Sequence, residues 1–165
     1  MHALEKMLAR ASGQDEIASG QSVWARIDLA EVNDLYPQTL TAFAETGAKS
    51  VANTDRVAFV FDHYAPAPTV EAAATHAQMR AFAREYGIKH LFDVNAGVCH
   101  QVLVEAGLVR PGEIVIATDS HTTIHGALGA FGTGVGATDM AVLLATGAMW
   151  MRMPEIEALL LLLFD

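Results

Sequence analysis

Two short runs constrain the fold of this chain more than anything else in it. Val57 to Phe61 (VAFVF) is wholly apolar, and Glu113 to Ala117 (EIVIA) is apolar after its first residue. Runs this rich in β-branched and aromatic residues mark strands covered on both faces, which belong to parallel sheets flanked by helices. Helical patterns lie between them. Leu4, Met7, Leu8 and Ala11 recur at helical spacing and stop at Gly13, and Leu40 to Thr46 continue a second helix closed by Gly47. Thr69 can cap a third that carries Val70, Ala74, Ala77, Ala81 and Phe82 and ends near Gly87. Residues 22–29 read as one half-buried strand, and a further strand falls around Leu91 to Val94. The expected architecture is α/β, three layers of helix, mostly parallel sheet and helix.

Length and charge narrow the function. At 165 residues the chain fits one domain with a sizeable core. Ten Lys and Arg against nineteen Asp and Glu leave a net charge of −9, unsuited to nucleic acid or an anionic membrane. The N-terminal pattern carries charges where an export signal needs a continuous apolar stretch. The longest apolar run, Leu159 to Phe164, falls far short of the ~20 residues that span a bilayer. One cysteine, Cys99, excludes an internal disulfide framework and any thiolate cluster built from this chain alone, so a reducing cytoplasm is the expected setting.

Each apolar run ends in titratable residues: Asp62-His63 after the first, Thr118-Asp119-Ser120-His121 after the second. In parallel sheets ligands gather beyond the carboxyl ends of the strands, so both clusters stand where a site is expected. A carboxylate beside an imidazole orients the ring and suits it to general acid work near neutral pH. The plainer alternative is a turn capped by Asp62 with His63 on the surface. With His100 in Ala-Gly-Val-Cys-His-Gln, three histidines and two aspartates could orient a polyoxygenated acid or hold a divalent metal. His76 and His90 read as packing or surface residues, and Cys99 as an inert buried thiol. His125 could pair with His121 only if one helix carried both.

The glycine-rich stretch Gly126 to Gly136 contains Gly132-x-Gly134-x-x-Ala137, a loose match to the dinucleotide fingerprint. That motif needs a strand immediately before it, and none is evident. Close backbone packing, leading into a helix opened by Thr138 and Asp139, explains the stretch better.

Taken in order, Asp62-His-Tyr-Ala-Pro-Ala-Pro68, Phe82-Ala-Arg-Glu-Tyr-Gly87, Gly97-Val-Cys-His-Gln101, Gly107-Leu-Val-Arg-Pro-Gly112, Thr118-Asp-Ser-His-Thr122, Gly126-Ala-Leu-Gly-Ala-Phe131 and Gly132-Thr-Gly-Val-Gly-Ala-Thr-Asp139 resemble the aconitase superfamily. The resemblance is closest to its isopropylmalate-dehydratase large-subunit branch. It spans about residues 1–154 and implies the N-terminal, incomplete portion of an aconitase-like domain, with a divergent Leu-rich tail over 154–165. It further implies a hydro-lyase that moves a hydroxyl between adjacent carbons of a malate-type di- or tricarboxylic acid, in leucine biosynthesis, with a [4Fe–4S] cluster and a small-subunit partner. Carried over by position, Asp62 and His63 resemble the pair that protonates the departing hydroxyl, and His100 and Asp119 a supporting pair. His121 resembles a contact to the substrate hydroxyl or an iron-bound water, Ser120 a substrate-binding residue beside it, and Gln38, in Asp34-Leu-Tyr-Pro-Gln38, a substrate-binding glutamine.

The departures are equally specific. Such a cluster takes three cysteine ligands, whereas Cys99 stands alone and away from a ligand position. The base and the carboxylate-binding arginines of the family also come from later segments, so this chain is expected to carry part of a site and to be inactive in isolation. The tail suggests a truncation, a frameshifted end or an engineered terminus, with apolar faces left to associate. Sister hydro-lyases acting on homoaconitate, citrate or dimethylmalate share these motifs. Two other readings stay open: a non-catalytic binding or assembly module, and a mononuclear metal site on His63, His100 and His121.

Overall fold

The computed structural model describes residues 2–155, and the Leu-rich tail lies almost wholly outside them. Helix α1 (Ala3–Ser12) leads to strand β1 (Ser22–Arg26), then β2 (Leu29–Asn33), α2 (Gln38–Glu45), β3 (Val57–Val60), α3 (Val70–Tyr86) and β4 (His90–Phe92). After α4 (Cys99–Glu105) come β5 (Ile114–Ala117), a 3-10 helix over Ser120–Leu128, β6 (Phe131–Gly134), α5 (Ala137–Thr146) and β7 (Ala148–Arg152). The five strands β4-β3-β2-β5-β6, in that order, form a wholly parallel sheet, and β1 pairs antiparallel with β7 in a separate ribbon.

The two sheet faces are packed differently. Val57, Phe59, Ile114, Ile116, Ala30 and Val32 face a large core supplied by α1, α2, α3 and α5. The alternate residues Leu29, Ala58, Val60 and Val115 face a smaller one made with Cys99 and Leu103 of α4. Both faces of β3 and β5 are therefore dry, as their apolar composition requires, and every residue in them is buried. On the larger face Phe43, Phe82 and Tyr86 meet with ring centroids 4.4–5.3 Å apart, tying α2 to α3. The expected α/β/α layering is present.

The helix ends follow the sequence signals. Thr69 Oγ1 accepts from the Ala72 amide at 3.2 Å to open α3, and Gly87 closes it at φ +71°. Two segments differ from expectation. Residues 22–29 hold β1 and only the first residue of β2, which belongs to the other sheet; the chain turns between them at Asp28, whose carboxylate takes Arg10 and the Ile114 amide at 2.6 and 2.8 Å. The glycine-rich stretch includes a sheet-edge strand, β6. Gly132 and Gly134 lie within it, so the fingerprint's turn geometry is absent. A Cβ on Gly134 would stand 2.5 Å from the Asp119 carbonyl oxygen, so this strand reaches the Asp119–Thr122 turn only with glycine there.

The order in which strands are added reverses between β2 and β5, β3 and β4 lying on one side of β2 and β5 and β6 on the other. Beyond the strand ends at that reversal lie Asp34, Asp62-His63 and Asp119, the crevice in which open α/β sheets gather ligands.

Candidate active site

Asp34 anchors one side of the crevice. It leaves β2 fully buried, and its two oxygens accept the amides of His63 (3.0 Å) and Tyr64 (2.9 Å) and the His76 ring at Nε2 (2.9 Å), with the Asp62 amide longer at 3.4 Å. Burial works against its charge, but these donors outweigh it and hold its carboxyl below the usual range. His76 is itself buried and lies flat on Phe61, ring centroids 4.5 Å apart. The Asp62-His63-Tyr64 backbone is thereby fixed from below.

Asp62 divides its carboxylate between the next residue and a neighbouring helix. Oδ1 meets His63 Nδ1 at 2.7 Å, and Oδ2 accepts the Cys99 amide that opens α4 at 2.6 Å. The other nitrogen of His63 faces Asp119 Oδ2 at 3.3 Å. Asp119 Oδ1 takes His100 Nε2 at 3.2 Å, His121 Nδ1 at 3.2 Å and the His121 amide at 2.6 Å. Three imidazoles from three separate segments thus share one carboxylate. Desolvation opposes the Asp119 charge, yet the His121 amide and the two neighbouring rings prevail and lower its titration.

Exposure grades across this cluster. Side chains of Asp62 and Asp119 are 5% and 10% exposed, whereas those of His100, His63 and His121 are 16%, 30% and 83% exposed. The rings are therefore the solvent-reaching part of the cluster and the two carboxylates its buried part. Asp119 and Ser120 line a depression of about 360 Å³ with Tyr36, Thr133 and Gly134. Gln38 stands apart, exposed at the start of α2, in an adjacent depression with Asp34 and Tyr64, and makes no hydrogen bond to the cluster. Among the predicted residues, the fold thus assembles Asp62, His63, His100, Asp119 and His121, places Ser120 at their edge and leaves Gln38 next door.

His125 is buried with its ring 5.6 Å from that of His100, while His121 is exposed, so the two are not a chelating pair on one helix face. Among the described residues, the side chains close enough to hold a metal ion are Asp34, Asp62 and His63, with ligand atoms within 4.8 Å, rather than the three histidines. Their carboxylate oxygens already serve backbone amides and imidazoles, which is a hydrogen-bonded corner more than an open metal centre. The Cys99 thiol is buried beside Glu31 and Asp62, and burial above all pushes its titration far upward. It is inert as a thiolate ligand.

Sequence reasoning missed Asp34 and His76 as parts of this site. The signal for Asp34 was its place directly after a buried strand, hidden because the expected strand ended at residue 29, where β2 begins. His76 carries no local signal, since its partner is 42 residues away.

The aconitase family model, described as aconitate hydratase, matches residues 13–161. A probable 3-isopropylmalate dehydratase large subunit of Methanothermobacter thermautotrophicus is 51% identical over 152 residues, 92% of this chain and 36% of the relative. A 3-isopropylmalate dehydratase large subunit of Methanopyrus kandleri is 52% identical with the same coverage. A probable methanogen homoaconitase large subunit from Methanothermobacter thermautotrophicus is 46% identical over 94% of this chain and 37% of its own length. The chain therefore spans little more than a third of these relatives. With the family match running through both strand-tip clusters, the chain belongs to the aconitase family.

Proposed function

We propose that this chain supplies the proton-handling side of a hydro-lyase site, most specifically one that converts 3-isopropylmalate to 2-isopropylmalate through 2-isopropylmaleate in cytoplasmic leucine biosynthesis. The observation that carries the reading is the convergence of His63, His100 and His121 on Asp119, with Asp62 holding the second nitrogen of His63. Hydroxide is a poor leaving group, so the departing hydroxyl of a malate-type acid must take a proton as its C–O bond breaks. His63 is placed to give it. Asp62 fixes Nδ1–H at 2.7 Å, leaving the Nε2 proton, shared with Asp119, as the transferable one. His100 orients Asp119 from the other side, and His121 and Ser120, at the open rim, contact the substrate oxygens. Gln38 binds a substrate carboxylate from the neighbouring depression.

The resemblance also implies a [4Fe–4S] cluster. The donor set here does not fit one: the sequence holds a single cysteine, and its thiol is buried and kept protonated. The ligating thiolates, the base and the small subunit belong to the remainder of the assembly. The isolated chain is accordingly inactive. A homoaconitase-type tricarboxylate is the second reading, favoured by the 46% identity to a relative of that name.

The test joins this chain to the missing segments and small subunit of a relative and follows hydration of 2-isopropylmaleate and of homoaconitate. His63→Ala is expected to lower the rate by about 10²–10⁴-fold, the usual share of a general acid. An unchanged rate would remove His63 from the reaction.

A further inference from the structure

Glu31 is the most anomalous residue in the fold. It sits in the central strand β2, fully buried, and both carboxyl oxygens lack a hydrogen-bond partner. Its side chain points to the α4 face, opposite Ala30 and Val32. In register it is flanked by Ala58 of β3 and Ala117 of β5, whose small side chains leave room for it. Those two strands run on to Asp62 and Asp119, and α4 begins above with Cys99, so Glu31 lies behind the carboxylates that organise the histidines.

Two arrangements are conceivable for such a group. An ionised Glu31 would be an uncompensated charge in a dry layer, beside carboxylates that also repel it. A neutral carboxyl avoids both penalties. We propose that Glu31 is a positioning residue of this site, a carboxylic acid kept uncharged behind Asp62 and Asp119 so that those two carry the negative charge facing the imidazoles. Its titration lies well above the ordinary 4.5, raised first by burial and then by the charges of Asp62, Asp119 and Asp34. The titratable groups facing it are Asp34 after its own strand, Asp62 after β3, Asp119 after β5 and the protonated Cys99 of α4. The inference stands on the cluster's geometry, and only its catalytic consequence rests on the hydro-lyase reading.

The experiment reads protonation directly in this chain. With ¹³C-labelled glutamate and backbone-linked assignment, the Glu31 carboxyl carbon is expected in the carboxylic-acid range at pH 7, and a carboxylate shift there would overturn the proposal. In Asp119→Asn and Asp62→Asn, removal of an opposing charge moves the Glu31 titration to lower pH. A titration that stays put, or a carboxyl that remains protonated to pH 10 in all these chains, would make Glu31 mere filling and overturn its positioning role. Glu31→Gln supplies a second readout. Because a raised folded-state value makes the native chain lose stability as pH climbs above 4.5, this variant should gain on the parent by roughly 3–5 °C in Tm per pH unit until Glu31 ionises. A difference independent of pH would count against the proposal. None of these readouts uses turnover, so the hydro-lyase reading and this one fail separately.

Discussion

The chain builds two aspartate–histidine assemblies a few ångströms apart, and they are opposites in solvent access. Asp34 with His76 is sealed, 0% and 2% exposed, and its oxygens are spent on amides of the His63 loop. Asp119, by contrast, holds three rings that reach solvent to increasing degrees, the outermost 83% exposed. Identical chemical groups therefore divide the labour by burial alone. The sealed pair sets backbone, because a buried charge is tolerated only with all its partners in place. The open one can exchange protons with a ligand, because its histidines reach water.

Replacing the two aspartates in turn should break that comparison most visibly. Asp34→Ala strands the His76 ring and the amides of His63 and Tyr64 without an acceptor. Losing one partner of such a buried network costs about 3–5 kcal/mol, a fall in Tm of roughly 6–20 °C for a chain of this size. Asp119→Asn keeps an oxygen for the His121 amide and leaves its rings near water, so its cost is expected at about 1 kcal/mol. Thermal melts of the two variants check this; equal losses would mean that Asp119 is structural too.

The glycines of β6 offer the next largest effect. Gly134→Ala sets a methyl 2.5 Å from the Asp119 carbonyl oxygen, backbone that cannot rotate aside. The turn bearing Asp119 and His121 must shift, at about 1–3 kcal/mol. Gly126→Ala, with nothing within 4 Å, should stay within about 0.5 kcal/mol. Urea unfolding separates the pair, and ring-proton shifts of His121 report the displaced turn in the first variant only.

How far this could be read beforehand depended on where the information resided. The runs Val57–Phe61 and Glu113–Ala117 announced buried strands, and their polar ends announced the aspartate–histidine clusters beyond them, because both signals are local in sequence. Thr69 and Gly87 marked the ends of α3 for the same reason. β2 was obscured by its own composition: Glu31 and Asn33 interrupt an apolar pattern, and only tertiary packing makes them interior. β6 was obscured by glycines that serve close approach rather than strand propensity. Asp34 with His76, like the meeting of His63 with Asp119, joins residues far apart in the chain and has no local signature. Likeness to a known family pointed to the exposed histidines; the support beneath them is visible only in the folded chain.

Acid titration sharpens the contrast more gently. The carboxyls of Asp34 and Asp119 are both held below their ordinary 3.8, so each contributes stability that is complete above that value and is lost as pH falls through the lowered one. Below about pH 4 the parent should lose Tm more steeply than Asp34→Asn, which starts lower and has that term removed. Melts from pH 5 to pH 2 read the difference in slope. Parallel curves would show that Asp34 gains nothing from its donors on folding.

The smallest effect falls on the outermost ring, and it is the one that separates a rim from a scaffold. His121 contacts Asp119 through Nδ1 at 3.2 Å, but its amide already holds the same oxygen at 2.6 Å, and the imidazole is 83% exposed. Removing the ring in His121→Ala deletes a contact that water replaces and leaves the turn pinned by its backbone. Stability should therefore change by less than about 0.5 kcal/mol, a Tm shift of roughly 1–2 °C. The His100 ring signal should still respond, because Asp119 Oδ1 then serves one ring fewer. A Tm loss near that of Gly134→Ala would place His121 with the sealed assembly rather than with the exposed rings.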